Sequence, residues 1–249
     1  MKKLIYKILF TVFAVVFLVS VWYLFSILVL EPHENKKISN EVRDYYSPET
    51  EKTTGSNGFD KISEQNSDIV GWIKIPGTAI DYPVVQPPAD NELFYLTRDF
   101  YKKPSAYGTI FVDLRSKISE QDSRNIVLHG HSMRNGSMFG DVLKFTDEIF
   151  CKSHKTIIFN TLKENAKWEV FAVFRVNSSA ENPNPFNYFV SKFPNNIQFM
   201  KFVEEIKSHS IFNLDIKIEE NDKILMLSTC SYEGGKLDDY RTVVAARKL

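Results

Sequence analysis

The stretch Ile224-Leu225-Met226-Leu227-Ser228-Thr229-Cys230, followed across Gly234-Gly235 by Arg241-Thr242-Val243-Val244-Ala245-Ala246, decides how this chain is to be read. Each half reads as a strand, the first as a short, almost continuous, buried-looking apolar run. The Gly-Gly pair between them is turn chemistry, so the two runs are expected to pair antiparallel. In that pairing Cys230, just past the first run, faces Arg241, which opens the second, across the base of the loop. A thiol is thereby set opposite a permanently charged, rigid fork of donors.

Working outward, similar runs recur between turn signals: Ile69–Ile75, Ile80–Val85, Thr109–Asp113, Asn125–Leu128, Lys155–Thr161 and Trp168–Val176. With Lys223–Thr229 and Arg241–Arg247 they make eight strands, which suggests a barrel or sandwich. Pro76-Gly77 and Asn135-Gly136 supply turns. The clearest helical periodicity is Asn195–His209, where Ile197, Met200, Phe202, Val203 and Ile206 share a face inside a long connection between two strands. Long connections of this kind often carry binding residues.

Composition bounds the rest. The chain has 249 residues, and its 31 basic and 31 acidic side chains cancel, which argues against nucleic-acid binding through bulk charge. A 43% hydrophobic share can fill a sizeable core. Two cysteines exclude a disulfide-dense scaffold and a four-thiolate zinc site. From Ile8 to Leu30 there is no charge at all, and at about 1.5 Å per helical residue this run exceeds the roughly 30 Å of a bilayer core. It is longer than a signal-peptide core and no small-x-small site ends it. Lys2, Lys3 and Lys7 precede it, while Glu31 and Glu34 follow, so the N-terminus is expected in the cytoplasm and the remainder outside. The expected organisation is a cytoplasmic tip (1–7), a membrane anchor (8–30), a partly helical stalk and linker (31–58) and a folded domain (59–249).

The chemistry-bearing residues are few. His129 and His131 flank Gly130 directly after the apolar run Ile126-Val127-Leu128, which places an imidazole at a strand end. Acyl transfer requires a thiolate nucleophile, a proton donor for the leaving amine and a fixed cation or donor for the oxyanion. Cys230, a histidine and Arg241 can fill those roles, and spacing alone does not choose between His129 and His131. Cys151 reads as a buried core thiol, and His33 and His209 carry no assigned role. No metal site or other cofactor is expected. Three functions stay open at this point: a transpeptidase, a thiol endopeptidase on the same fold, and an inactive anchored barrel that only binds partners.

These residues resemble those of the class B sortases. Leu227-Ser228-Thr229-Cys230 with Arg241 downstream resembles the family's nucleophile signature, and Asn125-Ile126-Val127-Leu128-His129-Gly130-His131-Ser132-Met133 resembles its histidine motif. Asn66–Ile73, Ile80–Gln86 and Gly108–Asp113 supply further ordered matches, so the likeness covers about residues 59–249. It implies a mostly β fold with added helices, an eight-stranded sortase-type barrel behind an N-terminal transmembrane helix. It also places the family's catalytic histidine, the one after Gly, on His131, with His129 in a position more often held by tyrosine. Leu96, Tyr188 and Ser228 become candidates for the substrate groove. The implied activity is cleavage of a C-terminal sorting signal, NPxTG-like or related, in secreted proteins through a thioacyl-enzyme. The acyl group would then pass to an amine of the peptidoglycan precursor. The Cys230–Arg241 interval is slightly long for the family, with Glu233-Gly234-Gly235-Lys236 reading as an insertion.

Overall fold

A computed structural model describes residues 2–46, 58–118, 123–178, 186–233 and 236–249. Most of the linker composition, at 47–57, lies outside them. The chain separates into two compact units, residues up to Glu41 and Val42–Leu249. The first is helical: α1 (Lys2–Phe25), a π-helical turn (Ser26–Leu30) and the greater part of α2 (Glu31–Tyr45). Its apolar side chains, among them Phe10, Phe13, Phe17 and Trp22, are exposed. This helix is long and apolar enough to cross a bilayer.

The second unit is a closed eight-stranded barrel in the order β1-β2-β3-β4-β7-β8-β6-β5. The strands are β1 (Ile69–Lys74), β2 (Asp81–Val85), β3 (Ile110–Val112), β4 (Asn125–His129), β5 (Thr156–Thr161), β6 (Asn165–Asn177), β7 (Ile224–Glu233) and β8 (Lys236–Lys248). The β2–β3 and β4–β7 pairs are parallel and the others antiparallel. All eight expected strands are present. The hairpin carrying Cys230 and Arg241 nevertheless runs further than its composition suggested. β7 continues through Cys230 to Glu233, and β8 begins at Lys236 rather than Arg241. Pairing persists as far as Glu233 opposite Lys236, and Gly234-Gly235 lie outside the described residues. A register shift between Cys230 and Tyr232 absorbs the added residues.

Two apolar layers explain why the strand sequences look continuous instead of alternating. Inside the barrel lie Leu128, Leu225, Leu227, Val244 and Ala246, with Phe159, Trp168 and Cys151. On the outer face, Val127, Met226, Val243 and Ala245 pack against Phe199, Val203 and Ile206 of α5 (Asn196–His209). Period two is intact, but both faces are buried, so each side chain is apolar. The Cys151 thiol is pushed up to about 11, mainly by its burial, as befits an inert core residue. Asn195 caps α5 by accepting from the Gln198 amide. Shorter helices α3 (Asp60–Gln65) and α4 (Glu148–Ser153) and a 3-10 turn (Phe94–Thr97) complete the described elements that matter below. Val42 is fully buried and Tyr46 stacks on Trp72 at 4.5 Å, so residues 42–46, which composition assigned to the stalk and linker (31–58), belong to the barrel unit.

Phe199 is fully buried beneath the Arg124 guanidinium, which lies 3.5 Å over its ring. Truncation to Ala removes a buried aromatic and leaves a cavity under α5. Denaturant unfolding of Phe199→Ala is expected to show a loss of about 3–5 kcal/mol.

Candidate active site

The backbone of the site is set by three neighbouring strands. β7 lies between β4 in parallel and β8 in antiparallel, with His129 opposite Ser228 and Cys230 opposite Arg241. Side chains alternate along β7, so Leu225 and Leu227 point into the barrel while Ser228 and Cys230 fall outside that core. Ser228 is buried and Cys230 partly exposed. Arg241 Nη1 donates to Cys230 Sγ at 2.6 Å, which sets a fixed guanidinium against the sulfur, as the antiparallel register predicts.

His131 sits just past β4, on a loop bound to β7 by polar ties. Gly130 N donates to Ser228 O at 3.3 Å, Thr229 Oγ1 to Gly130 O at 2.7 Å and Ser132 Oγ to Cys230 O at 2.6 Å. A Cβ on Gly130 would overlap Ile110 and come within 2.9 Å of the Phe139 ring, which is why glycine separates the two histidines. The chain then turns at Asn135-Gly136, where Gly136 takes φ +81°.

The orienting partner of His131 is a main-chain carbonyl. Its Nε2 lies 2.7 Å from Leu96 O, so Nε2 carries the proton and donates, leaving Nδ1 as the nitrogen able to exchange one. No side-chain spacing could have revealed this acceptor. It is presented by the 3-10 turn Phe94–Thr97, which is itself clamped. Tyr95, fully buried, donates to Asp68 Oδ2 at 2.6 Å and accepts from Asn66 Nδ2 at 2.9 Å. Burial first, and the bond to Asp68 second, push the Tyr95 phenol far up, so it stays a neutral donor. Gly108, at φ +62°, passes so close that a Cβ there would lie 2.6 Å from Leu96 O and 2.7 Å from Tyr95 O.

His129 has a different environment. Its Nε2 meets Asp113 Oδ2 at 3.0 Å, and Asp113 also takes a two-bond fork from Arg115, at 2.7 Å for each contact. Burial alone would raise the Asp113 carboxyl, but the bonds from Arg115 and His129 outweigh it and hold the group well below the usual carboxylate range. Arg115 in turn lies 4.0 Å over the Phe189 ring.

All six expected site residues line one cavity of about 570 Å³: Leu96, His131, Tyr188, Ser228, Cys230 and Arg241. Tyr188 and Ser228 are buried and bonded to each other at 2.8 Å, so their hydroxyls form a satisfied polar floor. Desolvation raises the Tyr188 phenol, opposed by the Ser228 bond. Asn125 anchors this wall, donating from Nδ2 to Tyr188 O at 2.9 Å and Val190 O at 3.0 Å. Sequence reasoning missed Asp113, Arg115, Phe186 and Phe189, which also line the cavity. In the sequence Asp113 only ends a strand-like run and Phe189 only falls in the long connection before α5.

Comparison with known proteins agrees with this geometry. A sequence model of the Sortase domain matches residues 73–249. Sortase B of Listeria monocytogenes is 31% identical over 231 residues, covering 89% of each chain. The crystal structure of Bacillus anthracis sortase B in complex with AAEK1 superposes with TM-score 0.73 at 30% identity, covering 89% of this chain and 99% of that one. A Staphylococcus aureus sortase B–substrate complex gives TM-score 0.75 at 26% identity over 88% and 98%. Because the family match spans the barrel and the Listeria likeness extends over nearly the whole of both chains, this chain belongs to the sortase family of cysteine transpeptidases, as a class B member.

Proposed function

We propose that the chain is a membrane-anchored transpeptidase with Cys230 as nucleophile, His131 as proton carrier and Arg241 as the cation that meets developing negative charge. It would cleave a C-terminal sorting signal of secreted proteins, NPxTG-like or related, and transfer the new carboxyl end to a peptidoglycan amine. The observation that carries this reading is the guanidinium of Arg241 on Cys230 Sγ, inside the cavity that also holds His131. That S. aureus sortase B forms a complex with its substrate supports a substrate-binding role for this chain as well. The exposed apolar surface of residues 8–30, flanked by lysines on one side and glutamates on the other, supports anchoring with the barrel outside the cell.

In the acylation step the Cys230 thiolate attacks the scissile carbonyl carbon. The oxygen gains negative charge within reach of a rigid donor fork. His131 gives its Nδ1 proton to the leaving amine nitrogen, and the C–N bond breaks to leave a thioester. Leu96 O can accept from Nε2–H whether or not Nδ1 is protonated, so the ring keeps its place while its charge changes. The thioester then awaits an amine.

Incubating the full-length chain in detergent micelles with a panel of sorting-signal pentapeptides should give a thioester on Cys230 by mass spectrometry. Amide product should form only when an amine is added, and Cys230→Ala should give neither species. Water as the sole acceptor, with amine present, would replace transpeptidation by endopeptidase action. Arg241→Lys keeps a charge but loses the fork, and its kcat is expected to fall about 10²-fold with the melting temperature little changed. Gly108→Ala must push Leu96 O away from His131, which predicts a kcat loss of about 10- to 100-fold with a smaller change in KM.

A further inference from the structure

The cavity holds a second imidazole that the acylation step does not use, and the proton balance of the second step calls for one. This inference rests on the transpeptidase reading. An acceptor arriving as R–NH3+ becomes an amide nitrogen, so it loses two protons as its nitrogen bonds the thioester carbon and the C–S bond breaks. The sulfur leaves as thiolate. His131 enters the step neutral, having given its Nδ1 proton to the first leaving group, and can take back only one. The other goes either to bulk water before the amine enters or, faster at neutral pH where most of the amine is ammonium, to a second acceptor in the same cavity.

We propose that His129 is that acceptor, the base that deprotonates the incoming ammonium. His129 stands opposite Ser228 in the parallel β4–β7 pair, and both line the cavity together with Cys230. Asp113 holds Nε2 at 3.0 Å, so Nε2 carries the proton and Nδ1 is the basic nitrogen. Nδ1 has no hydrogen-bond partner among the described residues. Once His129 is protonated, the charge sits beside a carboxylate already kept ionised by Arg115, which stabilises the imidazolium through a fixed, partly buried contact.

The other ionisable groups around the cavity are less suited. Asp113 is committed to Arg115 and His129. Tyr188, from the wall before α5, is buried on Ser228. Arg115 and Arg241 are cations, Glu92 is exposed on the turn before the 3-10 segment, and Cys230 and His131 are occupied by the chemistry itself. The balance then closes: ammonium, neutral His131 and neutral His129 give amide, Cys230 thiolate and two imidazoliums, one of which discharges to solvent.

The test uses His129→Gln, whose amide can still donate to Asp113 but cannot accept a proton. Two acceptors are compared on the acyl-enzyme of the full-length chain at pH 7: triglycine, whose amine is mostly ammonium there, and hydroxylamine, which is already the free base. Transfer to triglycine is expected to fall about 10- to 100-fold, transfer to hydroxylamine far less, and raising the pH to about 9 should restore much of the triglycine rate. The ratio of the two rates does not depend on how much of the variant folds. Equal losses with both amines, or no loss with triglycine, overturn the proposal. Absence of any thioester in the unsubstituted chain would instead overturn the transpeptidase reading, and this proposal with it.

Discussion

The site depends on the register of β7 between two different neighbours. β7 pairs in parallel with β4 and antiparallel with β8, and this double pairing brings His129, Ser228, Cys230 and Arg241 to one cavity. Because side chains alternate with period two, a slip of one residue would turn Cys230 into the barrel and carry Leu227 out. The apolar layers on both faces resist such a slip. Leu225 and Leu227 are matched to the inner core and Met226 to the layer under α5. Stability and the geometry of the candidate site are here the same constraint.

Around that frame, polar contacts give different surroundings to two imidazoles that are neighbours in sequence. His131 leans on a carbonyl held by a clamped 3-10 turn, and His129 leans on a carboxylate held by an arginine. A neutral carbonyl orients a ring and tolerates either protonation state, whereas a carboxylate also stabilises positive charge on its partner. Two residues apart, the same side chain therefore meets two different electrostatic environments. The wall formed by Tyr188 and Phe189 is bound to this arrangement through Asn125, Ser228 and Arg115.

Much of the fold was legible because its signals are local. Eight apolar runs between turn residues mark eight strands, and Asn195 followed by helical periodicity marks α5. The strand ends at Glu233 and Lys236 were less legible, since Ser231 and Lys236 carry no apolar signal. Of the site, Cys230 and Arg241 could be placed opposite each other from hairpin geometry, and the choice of His131 over His129 came from family resemblance. Asp113 and Arg115 were not readable, because the contacts that tie this local pair to the site, His129 on β4 and Phe189 on the connection before α5, are made only in the fold.

By itself, then, the sequence determined the strand count, the apolar helix, the two cysteines' different characters and the facing of thiol and guanidinium, all of which follow from periodicity, turn chemistry and charge along the chain. Only the tertiary structure decided which group orients each histidine, which hydroxyls satisfy one another in the cavity floor, and why Gly108 and Gly130 stand where they do. Those are contacts between backbone and side chains far apart in sequence. A main-chain carbonyl such as that of Leu96 has the same chemistry at every position, so nothing but the fold can single it out.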